Sequence, residues 1–180
     1  ESFEANFAFA VFSQGLNRYG QAVVAYHQSL KLAQILAREN PETYLPYVAG
    51  TLSNLGNLDR DQNRMDEARQ AYEEALKTYR ELAQKNSETY LPYVAMTLNN
   101  VGILDRAQNR MDEARQAFEE ALETYRELAQ KNPEAYLPYV AGTLSNLGNL
   151  DRPSAGAEEP GDVSARRGND AEQPGHPRSR

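Results

Sequence analysis

The segment NLGNLDRDQNRMDEARQAYEEA, residues 54–75, places two amphipathic patterns on either side of a short polar turn. Apolar residues recur at spacings of three and four on both sides, which is the spacing of one face of an α-helix. They are Val48, Leu52, Leu55 and Leu58 before the turn, and Ala68, Ala71, Tyr72, Ala75, Leu76, Tyr79 and Leu82 after it.

Pro46 suits the first turn of the first helix, where its missing N–H needs no partner. Asp66 and Glu67 suit the start of the second helix, because they face the positive end of its dipole. The segment predicts a hairpin of two helices.

The hairpin belongs to an internal repeat with a period of 46 residues. Pro41–Asn86 and Ser87–Asn132 agree at 38 of 46 positions, and Pro133–Arg152 agrees with the start of the first at 19 of 20 positions. Ala25–Asn40 keeps the same register with weaker similarity. Such a period is typical of a solenoid. We therefore expect a helical repeat domain over residues 1–152, with units at about 1–40, 41–86 and 87–132, a half unit at 133–152, and a separate tail at 153–180.

The small and large residues of each unit resemble those of the tetratricopeptide repeat. The matching positions are Asn54-Leu55-Gly56, Ala68, Tyr72 and Ala75 in one unit and Gly102, Ala114, Phe118 and Ala121 in the next. Glycine and alanine let two helices approach closely, and the aromatic ring fills the gap beside them. The longer unit is similar to the repeats of kinesin light chains and of large bacterial repeat proteins. Over about Phe3 to Arg152, the resemblance implies an all-α, right-handed α-solenoid of antiparallel helix hairpins with about two and a half to three units.

One departure from the family pattern is an acidic residue where a tyrosine is usual, three residues after the glycine. It is Asp59 in one unit, and Asp105 and Asp151 in the others. Arg60 and Arg64 are the neighbouring residues that we consider as its partners.

Composition excludes several function classes. A net charge of −7 and a pI near 5.0 disfavour nucleic acid as a partner, since phosphate binding needs clustered Lys and Arg. The chain has no cysteine, which rules out disulfides and thiolate chemistry and is compatible with the cytoplasmic location that we expect. The sequence contains no run of about 18 apolar residues, so it predicts no membrane-spanning helix. The first residue is not Met, so the sequence reads as a fragment of a longer protein.

Few residues suit catalysis. His27 has the helical phase of a solvent-facing residue, and no nucleophile or metal partner recurs around it. The carboxylates of the second helix lie among basic side chains at helical neighbour spacings, which favours a solvated, salt-bridged face over acid–base chemistry. We expect no enzyme activity, no metal and no cofactor.

The family resemblance implies that the first helices of the units line a concave surface. Nine asparagines and arginines of these helices form the candidate peptide-binding groove: Asn54, Asn57, Arg60, Asn99, Asn100, Arg106, Asn146, Asn149 and Arg152. Asparagine is a poor helix former, but its amide can bind the backbone of an extended peptide, and arginine offers a fork for a carboxylate.

Two alternatives stay open. Asn54, Asn100 and Asn146 could instead bond to neighbouring helices as a structural ladder, and the segment could be a spacer or oligomerisation rod without a ligand. The tyrosine pairs at the unit junctions, Tyr44/Tyr47, Tyr90/Tyr93 and Tyr136/Tyr139, could line the same groove, but periodic aromatics favour packing between repeats.

The tail Pro153–Arg180 is rich in Pro, Gly and charge, which predicts disorder. Read one nucleotide out of frame, Ala155–Ser179 back-translates to LAQKNPETYLPDVAMTLNNLGILDR, which matches Leu82–Arg106 at 22 of 25 positions. We therefore hypothesise a frameshift after Arg152, in the gene or through a sequencing error, that removed the partner of the last helix. That helix, about Pro138–Arg152, should leave part of Leu144, Leu147 or Leu150 exposed. Self-association through this end is expected.

Overall fold

The computed structural model describes residues 2–151, and these form seven α-helices. The helices are α1 (Phe3–Gly15), α2 (Tyr19–Glu39), α3 (Pro41–Asp61), α4 (Met65–Lys85), α5 (Ser87–Ala107), α6 (Met111–Lys131) and α7 (Pro133–Leu150). Each helix packs on the next along the chain, and this part of the chain contains no strand. The predicted all-α solenoid of helix hairpins is confirmed. Arg152 and the tail 153–180, with the predicted disorder and frameshift, lie outside the described residues.

Close contacts at two glycines show that α3 and α4 run antiparallel. Gly56, late in α3, faces the ring of Tyr72, early in α4, and Gly50 faces the hydroxyl of Tyr79 farther along. A Cβ atom at Gly56 would lie 2.6 Å from the nearest carbon of the Tyr72 ring, so only glycine fits there. In the next hairpin Gly102 meets Phe118 at the same 2.6 Å.

The first helix of each unit begins five residues earlier than the sequence predicts. Asn40 caps α3, and its Oδ1 accepts a hydrogen bond of 3.2 Å from the N–H of Thr43. The helix therefore starts at Pro41, and Pro46 lies inside it. Pro46 is tolerated because its missing hydrogen bond involves only the carbonyl of Glu42 in the exposed first turn. By the same mechanism α7 starts at Pro133 and not at Pro138.

The turn between the helices of a hairpin depends on an asparagine in the left-handed region. Asn63 has φ 60°, and the equivalent Asn17 and Asn109 have φ 57° and 59°. The N–H of Arg64 donates to the carbonyl of Asp59 at 2.8 Å, and that of Asn63 to the carbonyl of Arg60 at 2.9 Å. This is the Schellman arrangement, in which a residue with positive φ ends the helix.

The acidic residue that departs from the family pattern binds arginine side chains. Asp59 accepts a hydrogen bond of 3.0 Å from Nε of Arg64, whereas Arg60 pairs with Asp61. Of the two partners considered from the sequence, Arg64 is therefore correct and Arg60 is wrong.

The next copy adds an ion pair between units. Asp105 is bound by Arg110 of its own hairpin at 2.7 Å and by Arg69 of α4. Only 3% of the Asp105 side chain is exposed, and this burial raises the pKa of its carboxyl group although Arg69 opposes the shift. Arg115 of α6 binds Asp151 in the same way, at 2.5 Å.

Candidate peptide-binding face

Helix α3 lies against α5, and α5 lies against α7, so these three helices form one layer of the stack. The resemblance to the tetratricopeptide repeat implies that this layer lines the concave side. We call the surface carried by α3, α5 and α7 the inner face.

The predicted groove residues lie on these three helices. Asn149 is exposed. The other described groove residues are half-buried: Asn54, Asn57, Arg60, Asn99, Asn100, Arg106 and Asn146. Arg152 lies outside the described residues. Half-burial leaves part of each side chain accessible while packing holds its position.

Three of the asparagines are already engaged within the protein. Asn57 accepts a hydrogen bond of 2.7 Å from the hydroxyl of Tyr72. Nδ2 of Asn146 donates to Oδ1 of Asn99 at 3.1 Å, which links α7 to α5. A ladder bond therefore exists, but it joins Asn146 to Asn99 and not to Asn100.

Asn54 and Asn100 differ from these three. Among the described residues neither side chain has a hydrogen-bond partner. In α3 the position of Asn99 is occupied by Ser53, whose side chain is too short to repeat the bond. The amides of Asn54 and Asn100 thus make no side-chain hydrogen bond within this part of the chain.

A row of tyrosines continues the same stripe of the inner face. Tyr47, Tyr93 and Tyr139 expose 50%, 43% and 52% of their surface, whereas the other member of each pair is half-buried. In α5, Tyr93, Met96, Asn100 and Ile103 follow one another at spacings of three, four and three. The interpretation of the pairs as packing between repeats also holds for Tyr93 and Tyr139, which stack on tyrosines of the preceding unit, but one tyrosine of each pair keeps an exposed surface as well. The sequence signal for this exposed tyrosine is the helical phase that it shares with the asparagines.

Stacking fixes the exposed rings in place. Tyr93 stacks on Tyr79 with a centroid distance of 5.2 Å and an interplanar angle of 15°, and Tyr139 stacks on Tyr125 at 5.1 Å and 18°. Burial, together with nearby Tyr93, raises the pKa of Tyr79 to about 12, and burial also raises the pKa of Tyr125. Both phenols stay neutral at physiological pH, so each remains a hydrogen-bond donor beneath the exposed ring.

A cleft of about 320 Å³ opens between α5 and α7 beside these rings. It is lined by Pro92, Tyr93, Met96, Tyr125, Ala135, Tyr136 and Tyr139. Gly50 takes the place of Met96 in the preceding unit, so the flexible thioether side chain is particular to this cleft. Its apolar walls and rigid rings suit one apolar side chain.

Other candidate chemistries find less support. His27 is exposed, as predicted, and borders a second cleft of about 400 Å³ between α2 and α4. In residues 2–151 no three His, Cys, Asp or Glu side chains are grouped to hold a metal ion. No helix of this part is both long and apolar enough to cross a membrane.

Comparison with known proteins agrees with this architecture. Residues 47–127 match a family model described as tetratricopeptide repeat. The crystal structure of BtubC (BKLC) from P. vanneervenii is similar in fold, with a TM-score of 0.65 and 24% sequence identity. The match covers 82% of this chain and 54% of that chain, so this chain spans about half the length of BtubC. No curated protein sequence matches the chain.

Proposed function

We propose, on the premise that residues 47–127 are tetratricopeptide repeats, that the chain is a protein-interaction scaffold that binds an extended peptide along its inner face. Such repeats generally mediate protein–protein interactions. The observation that carries the proposal is the stripe of α5, where the exposed Tyr93 stacks on Tyr79 and is followed by Asn100, whose side chain has no hydrogen-bond partner within residues 2–151.

The asparagines supply recognition of the peptide backbone. The amides of Asn54 and Asn100 each offer two donors and one acceptor, which match the alternating N–H and C=O groups of an extended chain. They lie on successive inner helices, one repeat apart. Arg106 follows on the same face and can bind a carboxylate of the peptide through its planar fork.

The cleft between α5 and α7 supplies selectivity for a side chain. Tyr93 and Tyr139 are held by stacking and lose little conformational entropy on binding, whereas Met96 can adapt to the shape of the ligand. We expect a large apolar residue of the peptide at this position.

A peptide selection tests the proposal. Peptides selected from a random displayed library would be measured by calorimetry against the wild type and the Asn54→Ala/Asn100→Ala variant. Loss of two backbone contacts should weaken binding by about tenfold or more, with an unchanged melting temperature. Glu81→Ala/Glu127→Ala, on the exposed face of α4 and α6, is the matched control and should bind normally. Equal binding by the asparagine variant would contradict the proposal.

The alternative is a spacer or oligomerisation segment, and the hydrogen bond between Asn146 and Asn99 favours it. Replacing Asn54, Asn100 and Asn146 together separates the two functions. A structural role predicts a large loss of thermal stability, and a binding role predicts lost peptide capture by a folded protein. A cytoplasmic location and a place within a larger signalling or effector protein stay predictions.

A further inference from the structure

One face of α7 has the shape of an interface but nothing packed on it within residues 2–151. We call it the open face of α7 and define it by Leu137, Ala141, Leu144 and Gly148, all of which are exposed. Leu144 exposes 44% of its surface, whereas the equivalent Leu52 and Leu98 each expose 4%. In α3 and α5 the same positions are covered by the next helix of the hairpin, α4 or α6.

The glycine of this face leaves an empty notch. At Gly56 and Gly102 an added Cβ atom would clash at 2.6 Å with the aromatic ring of the covering helix, but at Gly148 it would meet nothing within 4 Å. The notch on α7 is therefore the imprint of an aromatic side chain that this part of the chain does not supply.

The polar residues beside the notch select among aromatic residues. Asn57 accepts a hydrogen bond from the hydroxyl of Tyr72, and in the next hairpin the repeat has Ile103 and Phe118 at the equivalent positions. The residue at this position of α7 is Asn149. If a helix bound at this face carried tyrosine at the notch, the tyrosine hydroxyl could donate a hydrogen bond to the Asn149 side chain. Phenylalanine at the same position could not.

A negatively charged residue, Asp151, indicates where a helix bound to the open face would begin. Asp59 and Asp105 bind the arginine that immediately precedes the covering helix, Arg64 or Arg110. The equivalent Asp151 binds Arg115 of α6 and exposes 66% of its side chain. An arginine one residue before an incoming helix would complete the same arrangement.

We propose that the open face of α7 binds an amphipathic helix of another polypeptide that has the pattern of α4. That helix carries arginine before its first residue, alanines along its contact stripe and tyrosine at the notch. The residues after the described part contain Val163 as their only large apolar side chain, so the tail lacks this pattern. This surface meets the inner face at Asn149 but includes neither Asn54 nor Asn100, so its test is independent of the test of the peptide site.

A second copy of the chain fits the face less well. Its α4 and α6 bury their contact stripes within their own hairpins, where Tyr72 and Phe118 are 0% exposed. The self-association expected from the sequence is therefore a competing outcome of the same experiment.

The test uses a labelled synthetic peptide with the sequence Arg64–Asn86 and the full chain. Fluorescence anisotropy should show saturable binding with one peptide per chain. Gly148→Ala should weaken binding by about tenfold or more, because its methyl group blocks the ring. Gly142→Ala is the matched control: it makes the same change in the same helix, but the equivalent contact at Gly50 is an ordinary 3.5 Å.

Changes in the peptide test the notch from the other side. Replacing its tyrosine, Tyr72, by alanine should abolish binding, and replacing it by phenylalanine should weaken binding about fivefold through loss of one hydrogen bond. Equal affinity for the two glycine variants, or no saturable binding, would overturn the proposal. A dimer that light scattering detects and that the peptide cannot dissociate would also overturn it, by assigning the face to a second copy.

Discussion

Two hairpins have different residue pairs at the same packing position, a polar pair in one and an apolar pair in the other. Replacing the polar pair by the apolar one is a stringent test of the structure. Tyr72 donates a hydrogen bond to Asn57 in one hairpin, and the repeat has Phe118 and Ile103 at the equivalent positions of the next. Both rings are 0% exposed, and a Cβ atom added at the glycine that faces each ring would lie 2.6 Å from it in both hairpins. We therefore predict that Asn57→Ile and Tyr72→Phe are each destabilising, and that the double variant regains most of the loss.

The magnitudes follow from what each variant leaves unpaired. Asn57→Ile leaves the hydroxyl of the buried Tyr72 without an acceptor, which costs about 1–3 kcal/mol. Tyr72→Phe leaves a half-buried amide that water can still reach, and about 1 kcal/mol is lost. In the double variant both partners are apolar, as at Ile103 and Phe118, so the change is close to neutral. The coupling between the two sites is then about 2–4 kcal/mol.

Urea unfolding followed by circular dichroism measures the four free energies of unfolding, and the melting temperature should change by about 2–4 °C per kcal/mol. The m-values should stay equal, so that the comparison concerns one cooperative unit. If the two single losses add within about 0.5 kcal/mol, the residues are not coupled and the reasoning is refuted.

Three further predictions concern packing, charge and pH. Gly56→Ala should cost about 1–3 kcal/mol because its methyl group clashes with the ring that faces it, whereas Gly50→Ala should be neutral or stabilising; thermal melts compare them. Arg69→Ala should cost about 1–3 kcal/mol, since its aspartate partner is only 3% exposed, while Arg115→Ala, whose partner is 66% exposed, should leave the urea midpoint almost unchanged. The folded-state pKa of Tyr79, about 12, lies above its ordinary value of 10.0, so its contribution to stability is present below pH 10 and is lost as the pH rises through 12. Tyr79→Phe should reduce the loss of stability in this pH range, where Tyr72 and Tyr125, whose pKa values are also raised by burial, account for part of the remainder. A profile equal to that of the wild type would exclude the assignment.

The helices and hairpins could be predicted because their signals are local. Leucines and alanines at spacings of three and four, the polar turn around Asn63 and the 46-residue period each act within one unit. The predicted start of the first helix in each unit is wrong, because Pro46 resembles a proline of the first helical turn. The Asn40 side chain caps the helix earlier, and the exposed first turn tolerates the loss of the hydrogen bond that Pro46 cannot donate.

The candidate site could be predicted only in part. The repeat pattern places the asparagines on the first helices of the units, but it cannot show that Asn146 pairs with Asn99 while Asn100 has no side-chain partner within residues 2–151. That difference depends on how α5 and α7 are rotated against each other, and on the length of Ser53 in the preceding helix. The exposed tyrosines were assigned to packing for the same reason, since Tyr93 both stacks on Tyr79 and faces outward.

The amino-acid sequence by itself determined the repeat, the pairing of helices into hairpins and the glycine–aromatic contacts, because residues close in sequence specify them. Only the tertiary structure decided which polar side chains are already engaged and which face of α7 is open. Asn54 and Asn149 are copies of residues that occur elsewhere in the repeat, yet their surroundings differ because the neighbouring helices differ. Identical residues in a solenoid acquire different roles from their position in the stack, since each unit contacts only the units beside it.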